Sequence, residues 1–453
     1  MLNVKRFLLE TTCYLGLGKT AEAIALDVRR RKLQPNITKK QKTLVVTYIA
    51  IIPAWIKQFK MWAPDLKVTA INPKNRQEFL DDLYLDEHDV YICHPQAIRL
   101  IESDLTEHQW FHLIFDEVHW MQNRKSKQTL SAKKIKGFYK TGLSGTPAYD
   151  KPDDLWSILN WLYPTHWSSY WRYYEDHIVS VDWTGYKVTV GVKNEQQLQK
   201  EMESFYIRRL KENVLPDLPD KYFSTVTVQL DPKQFRAYES MRKDMLSWVG
   251  DEEDKPLAAP VVIAQLIRLQ QFSDAFATLN ETENTIELSE PSAKLDALME
   301  ILESTNEQIV VFSQFSQMIK LLGKRLEKAK ISHGIYIGET SPQARADIID
   351  AFQDKSIRVF AGTIQAGGTG ITLTSASTVV FLDRTWSGAT NNQAIDRLHR
   401  IGQKNAVHVI DIVSDKTLDV RRIKGIELKW SMIKFLLGEG KIDEEEMFSD
   451  EDD

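Results

Sequence analysis

A short glycine-containing sequence near the start of the chain has the residue types that bind a nucleoside triphosphate. It reads Gly16-Leu17-Gly18-Lys19-Thr20, and the helix-forming residues 21–32 follow it. Glycines let backbone N–H groups close around phosphate oxygens, and the start of a helix adds a positive dipole. Lys19 would then reach the terminal phosphates, and Thr20 would bind magnesium. These five residues form the candidate ATP-binding loop.

The match to a full phosphate-binding loop is incomplete. The full pattern has a glycine five residues before Gly18, where this chain has Cys13. A GxGKT sequence can also be the start of a helix in an unrelated fold. The loop therefore indicates nucleotide binding, and other motifs must support it.

A pair of carboxylates, Asp116 and Glu117, comes directly after the apolar run 113–115. A strand would place both at its C-terminal edge, where ligands bind in open α/β sheets. Asp116 would hold magnesium through water, and Glu117 would orient and deprotonate the attacking water. An isolated Asp-Glu pair is usually a solvated strand end. The upstream loop and the downstream SGTP sequence at residues 144–147 favour the catalytic interpretation.

Two arginines in the last third of the chain could stabilise charge on a transferring phosphate. Arg397 and Arg400 lie in the sequence QAIDRLHRIGQ, residues 393–403, for which we predict a helix. Residues three apart on a helix share one face. Two guanidinium groups aimed at a triphosphate would act as arginine fingers, although such pairs more often form surface ion pairs.

Short β-branched runs that alternate with longer amphipathic stretches must position these residues. Runs of this kind end at residues 47, 93 and 115, and the pattern resumes between 308 and 413. The alternation is typical of βαβ units and parallel sheets. The sequence therefore predicts an α/β protein with two parallel-sheet lobes.

The predicted organisation has four parts. They are a first ATPase lobe at residues 1–165, a helical insertion and linker at 166–290, a second lobe at 291–435 and an acidic disordered tail at 436–453. The aromatic residues in 155–177 could stack on bases, but aromatic and aliphatic residues at helical spacing are more often core.

Composition narrows the class of protein without naming a function. Two cysteines, Cys13 and Cys93, exclude a disulfide framework and a four-thiolate zinc site within the chain. The net charge is −5, and the last eleven residues hold eight carboxylates; without them the net charge would be +3. No leader sequence or long apolar run is present, so we expect a soluble cytoplasmic protein that does not bind membranes, with a nuclear location not excluded.

The order and the sequences of the motifs resemble those of the Swi/Snf-type ATPases of helicase superfamily two. The resemblance is to small bacterial or viral-like members of that family. The resemblance extends from Gly16 to Val413 and includes residues 43–64, 115–127, 143–164, 206–221 and 361–386. It implies two RecA-like lobes that bind ATP and magnesium. It also implies double-stranded DNA as the partner, and hydrolysis coupled to translocation rather than to full strand separation.

The resemblance assigns roles to particular residues. Lys19, Thr20, Asp116 and Glu117 would serve the nucleotide and the metal, with Arg397 and Arg400 as fingers. Gly368, Gly370 and Gln393 would belong to the ATP site of the second lobe, and Pro53, Thr363 and Trp386 would contact DNA phosphates.

Two departures from the family pattern leave alternatives open. Cys13 and Tyr14 replace an acidic pair, and fifteen residues leave no room for the upstream adenine-recognition element. One hypothesis is that the sequence begins inside a longer motor. A second is a DNA-binding module or scaffold whose nucleotide pocket no longer turns over. A third, an RNA-dependent ATPase of the same superfamily, is disfavoured by the sequences of residues 208–221 and 396–403.

Overall fold

The computed structural model describes residues 5–11, 18–36, 41–72, 74–145, 147–148, 151–183, 186–209, 215, 217–250, 259–280, 285–367 and 371–420. The chain divides into two compact units. The first contains the described residues up to Val181 and those from Val188 to residue 215. The second contains the described residues among 182–187 and those from Asp217 onwards.

The first unit is built around a parallel sheet. Its strands and the adjoining hairpin are β1 (Arg6–Thr11), β2 (Thr43–Val46), β3 (Val68–Ala70), β4 (Val90–Cys93), β5 (Gln109–Phe115), β6 (Lys136–Ser144), β7 (Ile178–Trp183), β8 (Tyr186–Val192) and β9 (Tyr206–Arg209). Seven of the described strands form the sheet, in the order β3-β4-β2-β5-β6-β1-β9, and β7 and β8 pair as a hairpin. Every residue of β2 and β4 is buried, as expected for strands covered on both faces.

Helices cover the sheet of the first unit. They are α1 (Lys19–Leu33), α2 (Ile52–Trp62), α3 (Arg76–Leu85), α4 (Pro95–Leu100), α5 (Glu102–Glu107), α6 (Lys127–Lys134), α7 (Leu155–Leu162), α8 (Tyr170–His177) and α9 (Glu195–Met202). Short 3-10 turns occur at Ile49–Ile51, Val118–Met121 and Pro152–Asp154. The aromatic residues of α7 and α8 are largely core: Trp156, Trp161 and Tyr173 are buried, as the sequence predicted.

The second unit has its own parallel sheet. Its strands are β10 (Lys221–Val228), β11 (Phe276–Asn280), β12 (Thr285–Ser289), β13 (Ile309–Ser313), β14 (His333–Tyr336), β15 (Val359–Thr363), β16 (Thr378–Phe381) and β17 (Val407–Ser414). The sheet order is β10-β17-β16-β13-β15-β14, and β11 and β12 form a separate hairpin. The helices are α10 (Pro232–Gly250), α11 (Ala259–Asp274), α12 (Ala293–Ser304), α13 (Ser316–Lys328), α14 (Pro342–Gln353), α15 (Ile364–Gly367) and α16 (Gly388–Ile395). The predicted class, α/β with two parallel-sheet lobes, is confirmed.

The region 166–290 differs from its description as a helical insertion. Its described residues contain six strands in addition to the helices, and two of these strands belong to the main sheets: β9 pairs with β1 in the first and β10 pairs with β17 in the second. The burial of β10 alternates along residues 224–228, but its neighbour in the sheet, β17, is far away in sequence. Local sequence patterns could not predict that pairing. Within the described residues, we find no helix with the length and apolar character needed to cross a membrane.

A buried polar network fixes α1 against its sheet. Asp27 accepts hydrogen bonds from Arg31 Nε at 2.8 Å and from Thr43 Oγ1 at 2.7 Å. His112 Nδ1 lies 2.9 Å from Asp27 Oδ1. Burial by itself raises the pKa of Asp27, but Arg31 and His112 outweigh it and hold that pKa well below its usual range. The helix that begins at Lys19 is therefore anchored through charge-assisted bonds in the core.

His112 is held in its neutral form in this network. Burial lowers the pKa of His112 to about 4, and Asp27 offsets this only in part. The geometry agrees, because Arg30 Nη1 lies 3.2 Å from Nε2 and can donate only to an unprotonated nitrogen. The Thr141 hydroxyl lies 2.7 Å from the same nitrogen. Both ring nitrogens are thus satisfied without a second proton.

The neutral His112 predicts a pH dependence of stability. The unfolded chain binds a proton at this histidine near pH 6.5, whereas the folded chain does so only near pH 4. Between these values the unfolded state holds more protons, so the free energy of unfolding falls as the pH falls. The slope from this group is at most about 1.4 kcal/mol per pH unit.

Urea unfolding of the wild type and of His112→Asn at pH 7, 6 and 5 measures this contribution. Asparagine retains a donor toward Asp27 but does not titrate, so the variant should lose less stability between pH 7 and 5. Asp27, Arg30 and Arg31 face the histidine in both proteins. Equal pH slopes in the two proteins would show that His112 is not the titrating group.

Candidate functional site

The start of α1 has the geometry of an anion-binding helix N-terminus. Gly18 precedes the helix with φ +79°, a left-handed conformation that glycine adopts without strain. Lys19 is the first helical residue and is buried, and Thr20 is half-buried in the same turn. The unpaired N–H groups of a first helical turn point toward an anion bound there. Gly16 and Leu17, together with Cys13 and Tyr14, lie outside the described residues.

The two carboxylates lie at the C-terminal edge of the first sheet, as the sequence predicted. Asp116 and Glu117 directly follow β5, and both are buried. Glu117 has φ +47°, an uncommon conformation for a residue with a side chain. Lys19 Nζ lies 3.8 Å from Glu117 Oε1. The structure therefore brings the lysine of the loop and the carboxylate pair together within the first unit.

Asp116 is held in place by two donors that the sequence analysis did not single out. Thr47 Oγ1 donates to Asp116 Oδ2 at 3.0 Å, and Trp55 Nε1 donates to the same oxygen at 2.8 Å. The backbone N–H of Glu117 donates to Oδ1 at 3.0 Å. Parallel register could have identified Thr47, because β2 pairs with β5 and their C-terminal residues are adjacent. Nothing in the local sequence indicated that the indole of Trp55 reaches the carboxylate.

His119 connects the carboxylate pair to the end of β6. Its Nδ1 lies 3.5 Å from Glu117 Oε2 and 3.5 Å from Ser144 Oγ. Burial, together with the nearby charge of Lys19, lowers the pKa of His119 to about 3. The imidazole is therefore neutral at physiological pH, so its contact with Glu117 is not an ion pair, and its contact with Ser144 is a long, weak hydrogen bond. Thr146 of the SGTP sequence lies outside the described residues.

The donor set around Asp116 is suited to magnesium. Mg²⁺ prefers oxygen ligands, and it is commonly held by one or two carboxylates together with phosphate oxygens and water. Asp116 Oδ2 already accepts two hydrogen bonds, while Oδ1 accepts the single bond from Glu117 N–H and retains a lone pair. The residues present thus fit a magnesium ion beside the start of α1.

An ion pair joins α1 to β9. Arg209 Nη1 contacts Glu22 Oε1, and Glu22 lies in the first turn of α1. Arg209 belongs to residues 206–221, which carried much of the family resemblance in the sequence. Its contact with the first turn of α1 indicates that this segment supports the candidate nucleotide site.

The two arginines of the second unit are not on a helix. We predicted a helix through residues 393–403, but α16 ends at Ile395 and residues 396–402 form turns and bends. The argument that their spacing places them on one helical face was therefore wrong. They nevertheless meet at one segment. Arg400 Nη1 donates to Thr372 Oγ1 at 2.8 Å, and the carbonyl of Arg397 accepts from Leu373 N–H at 2.9 Å.

The remaining candidates are spread over both units. Thr363 is buried at the end of β15, at the C-terminal edge of the second sheet, and Trp386 is half-buried in the segment after β16. Gln393 is buried within α16. Pro53 is exposed in the first turn of α2 in the first unit. Gly368 and Gly370 lie outside the described residues.

Comparison with protein families gives a direct assignment. The SNF2-related domain matches residues 14–299, more than half of the chain, and the helicase conserved C-terminal domain matches residues 293–402. The chain belongs to the SNF2-related family. The resemblance to Swi/Snf-type ATPases is thereby confirmed.

Individual relatives agree with this assignment. "Putative ATP-dependent helicase/translocase YwqA" of Bacillus subtilis is 29% identical over 89% of this chain and 44% of its own length. An uncharacterized ATP-dependent helicase of Mycoplasma pneumoniae is 28% identical over 90% of this chain and 38% of its own length. The chain therefore spans less than half the length of both relatives. The Sulfolobus solfataricus SWI2/SNF2 ATPase core in complex with dsDNA is 26% identical, with a TM-score of 0.43, over 95% of this chain and 88% of that one.

Both matched segments of this SNF2-related chain contain candidate residues. Lys19, Asp116 and Glu117 fall in the SNF2-related domain, and Arg397 and Arg400 fall in the C-terminal helicase domain.

Proposed function

We propose that this SNF2-related chain is an ATP-hydrolysing motor that moves along double-stranded DNA. The observation that carries the proposal is the convergence of Lys19, Asp116 and Glu117 at one edge of the first sheet. Membership of the SNF2-related family supports it, and the relatives that the chain matches are named as ATP-dependent helicases. We propose duplex DNA as the partner because the motif sequences resemble those of the Swi/Snf-type ATPases.

The residues of the first unit divide the chemistry among them. The N–H groups at the start of α1 and the ammonium of Lys19 bind the phosphates. Asp116 and Thr20 would hold magnesium, which would supply positive charge beside the transferring phosphoryl group. Glu117 orients a water molecule and accepts its proton. Burial of Glu117 and Lys19 strengthens these interactions, because water screens them little.

The residues of the second unit, together with Pro53 of the first unit, extend the proposal. Arg397 and Arg400 stabilise transition-state charge, and Gln393, Gly368 and Gly370 contribute to nucleotide binding. Pro53, Thr363 and Trp386 contact DNA phosphates, which a motor can follow without reading bases. We also propose that the protein is located in the cytoplasm.

ATP hydrolysis in the presence of duplex DNA, single-stranded DNA or RNA tests the proposed function. We expect the wild type to be stimulated most by duplex DNA. Arg400→Ala should lower the stimulated kcat by at least about tenfold, because a guanidinium that stabilises transition-state charge is lost.

Arg358→Ala is the matched control. Like Arg400, Arg358 makes hydrogen bonds within the second unit, in its case to the backbone carbonyls of Leu302 and Thr305. It lies just before β15, at the opposite edge of the second sheet from Thr363. Its loss should leave turnover within about twofold of wild type. Equal turnover in Arg400→Ala and Arg358→Ala would contradict the proposal that Arg400 stabilises the transition state. Stimulation by RNA alone would contradict the proposed partner.

A further inference from the structure

The connection between β2 and α2, together with the first turn of α2, touches the carboxylate motif at three points. Thr47, at the start of the connection, donates to Asp116 Oδ2, and Trp55, in the first turn of α2, donates to the same oxygen. Between them, the ring of Tyr48 lies 6.4 Å from the ring of His119. The segment 47–55 therefore contacts both Asp116, the candidate metal ligand, and His119.

Trp55 is buried completely, and its ring packs against Phe59 at a centroid distance of 6.0 Å. A buried indole N–H normally finds an acceptor, and a backbone carbonyl would satisfy it. Trp110 shows that ordinary arrangement, because its Nε1 donates to the carbonyl of Leu105 at 2.9 Å. Trp55 instead donates to a carboxylate that is suited to hold a metal ion. A hydrogen bond to a charged acceptor is stronger than one to a carbonyl.

Trp55 also shares a helical turn with an exposed residue. Pro53 lies two positions earlier in α2 and is exposed, whereas Trp55 is fully buried. Residues two apart on a helix point to different sides. A ligand that binds at the exposed Pro53 therefore contacts the same turn of α2 that carries the indole of Trp55.

We infer that Trp55 is a positioning residue for ATP hydrolysis. Its indole N–H, together with the Thr47 hydroxyl, occupies Oδ2 of Asp116 and leaves Oδ1 available to a divalent cation. Contact of duplex DNA with the first turn of α2 adjusts this hydrogen bond and so tunes the metal site. The second part of the inference rests on the proposed function, and the first part concerns divalent-metal binding by Asp116.

Two measurements on purified full-length chains test the inference. The first is the Mn²⁺ concentration that half-saturates the chain in the presence of ADP, read by electron paramagnetic resonance of free Mn²⁺. The second is kcat and KM for ATP with and without duplex DNA. The variants are Trp55→Phe and Thr47→Val, with Trp110→Phe as the matched control.

Trp55→Phe keeps an aromatic ring but removes the N–H donor. Residues that orient a metal ligand are typically worth about tenfold to a hundredfold in metal affinity or activity. We expect the half-saturating Mn²⁺ concentration to rise by about tenfold or more in Trp55→Phe. The DNA-stimulated kcat should fall more than the basal kcat, with little change in KM. Thr47→Val should show the same pattern to a smaller extent, because Trp55 still donates to Oδ2.

Trp110→Phe removes an equivalent buried indole bond away from Asp116, so any general loss of stability appears in it as well. Mn²⁺ affinity in Trp55→Phe equal to that in Trp110→Phe would overturn the inference. An unchanged ratio of stimulated to basal kcat in Trp55→Phe would overturn its DNA-dependent part. Failure of the wild type to hydrolyse ATP with duplex DNA would instead reject the proposed function, and the Mn²⁺ measurement would still decide the role of Trp55.

Discussion

Glu117→Gln is expected to lower turnover strongly while retaining nucleotide binding. The amide is nearly isosteric with the carboxylate but cannot accept a proton from water. General-base catalysis contributes about a hundredfold to ten-thousandfold, so kcat should fall by that range. Loss of the charge beside Lys19, 3.8 Å away, should also favour binding of the ATP polyanion. Steady-state ATPase assays and binding of a fluorescent ATP analogue separate the two effects.

Glu107→Gln controls for the loss of one negative charge. Glu107 is exposed at the end of α5, so its amide variant should match the wild type in both assays. If Glu117→Gln retained more than about a tenth of wild-type kcat, Glu117 would not be the proton acceptor.

Lys19→Ala is expected to impair both binding and hydrolysis. Lys19 is buried at the first position of α1, where its ammonium adds to the positive end of the helix dipole. Removal of one preorganised charge that stabilises a transition state costs about a hundredfold to a thousandfold in kcat. The KM for ATP should rise as well, because the same charge binds the ground-state phosphates. This combined change distinguishes Lys19 from Glu117.

The matched control is Lys32→Ala, at the exposed C-terminal end of the same helix. It should retain wild-type kcat and KM, since a helix-favouring residue replaces a solvated charge. Comparable losses in Lys19→Ala and Lys32→Ala would mean that the effect reflects the stability of α1 rather than phosphate binding.

The sheet-edge placement of the site was predictable from sequence because it depends on local patterns. Apolar runs predicted β2 and β5, and the residues that follow β5 were expected at the C-terminal edge of a parallel sheet. The carboxylate pair and the start of α1 followed from the same reasoning. Each of these inferences used residues within a few positions of one another, where propensity and periodicity are informative.

Other features depended on contacts between distant residues and could not be predicted. The indole of Trp55 reaches Asp116 across 61 positions of sequence, and β9 pairs with β1 across a still longer separation. The helix predicted around Arg397 ends early because its carbonyl pairs with Leu373, a tertiary contact that overrides helix propensity.

Displacement of a third strand from a DNA triplex measures movement along duplex DNA most directly, because the chain must travel through the duplex to release it. We predict ATP-dependent displacement by the wild type, none with a non-hydrolysable ATP analogue, and none by Glu117→Gln. Robust duplex-stimulated ATP hydrolysis without displacement would contradict a translocating motor. Displacement that proceeds equally without ATP would contradict the coupling of hydrolysis to movement.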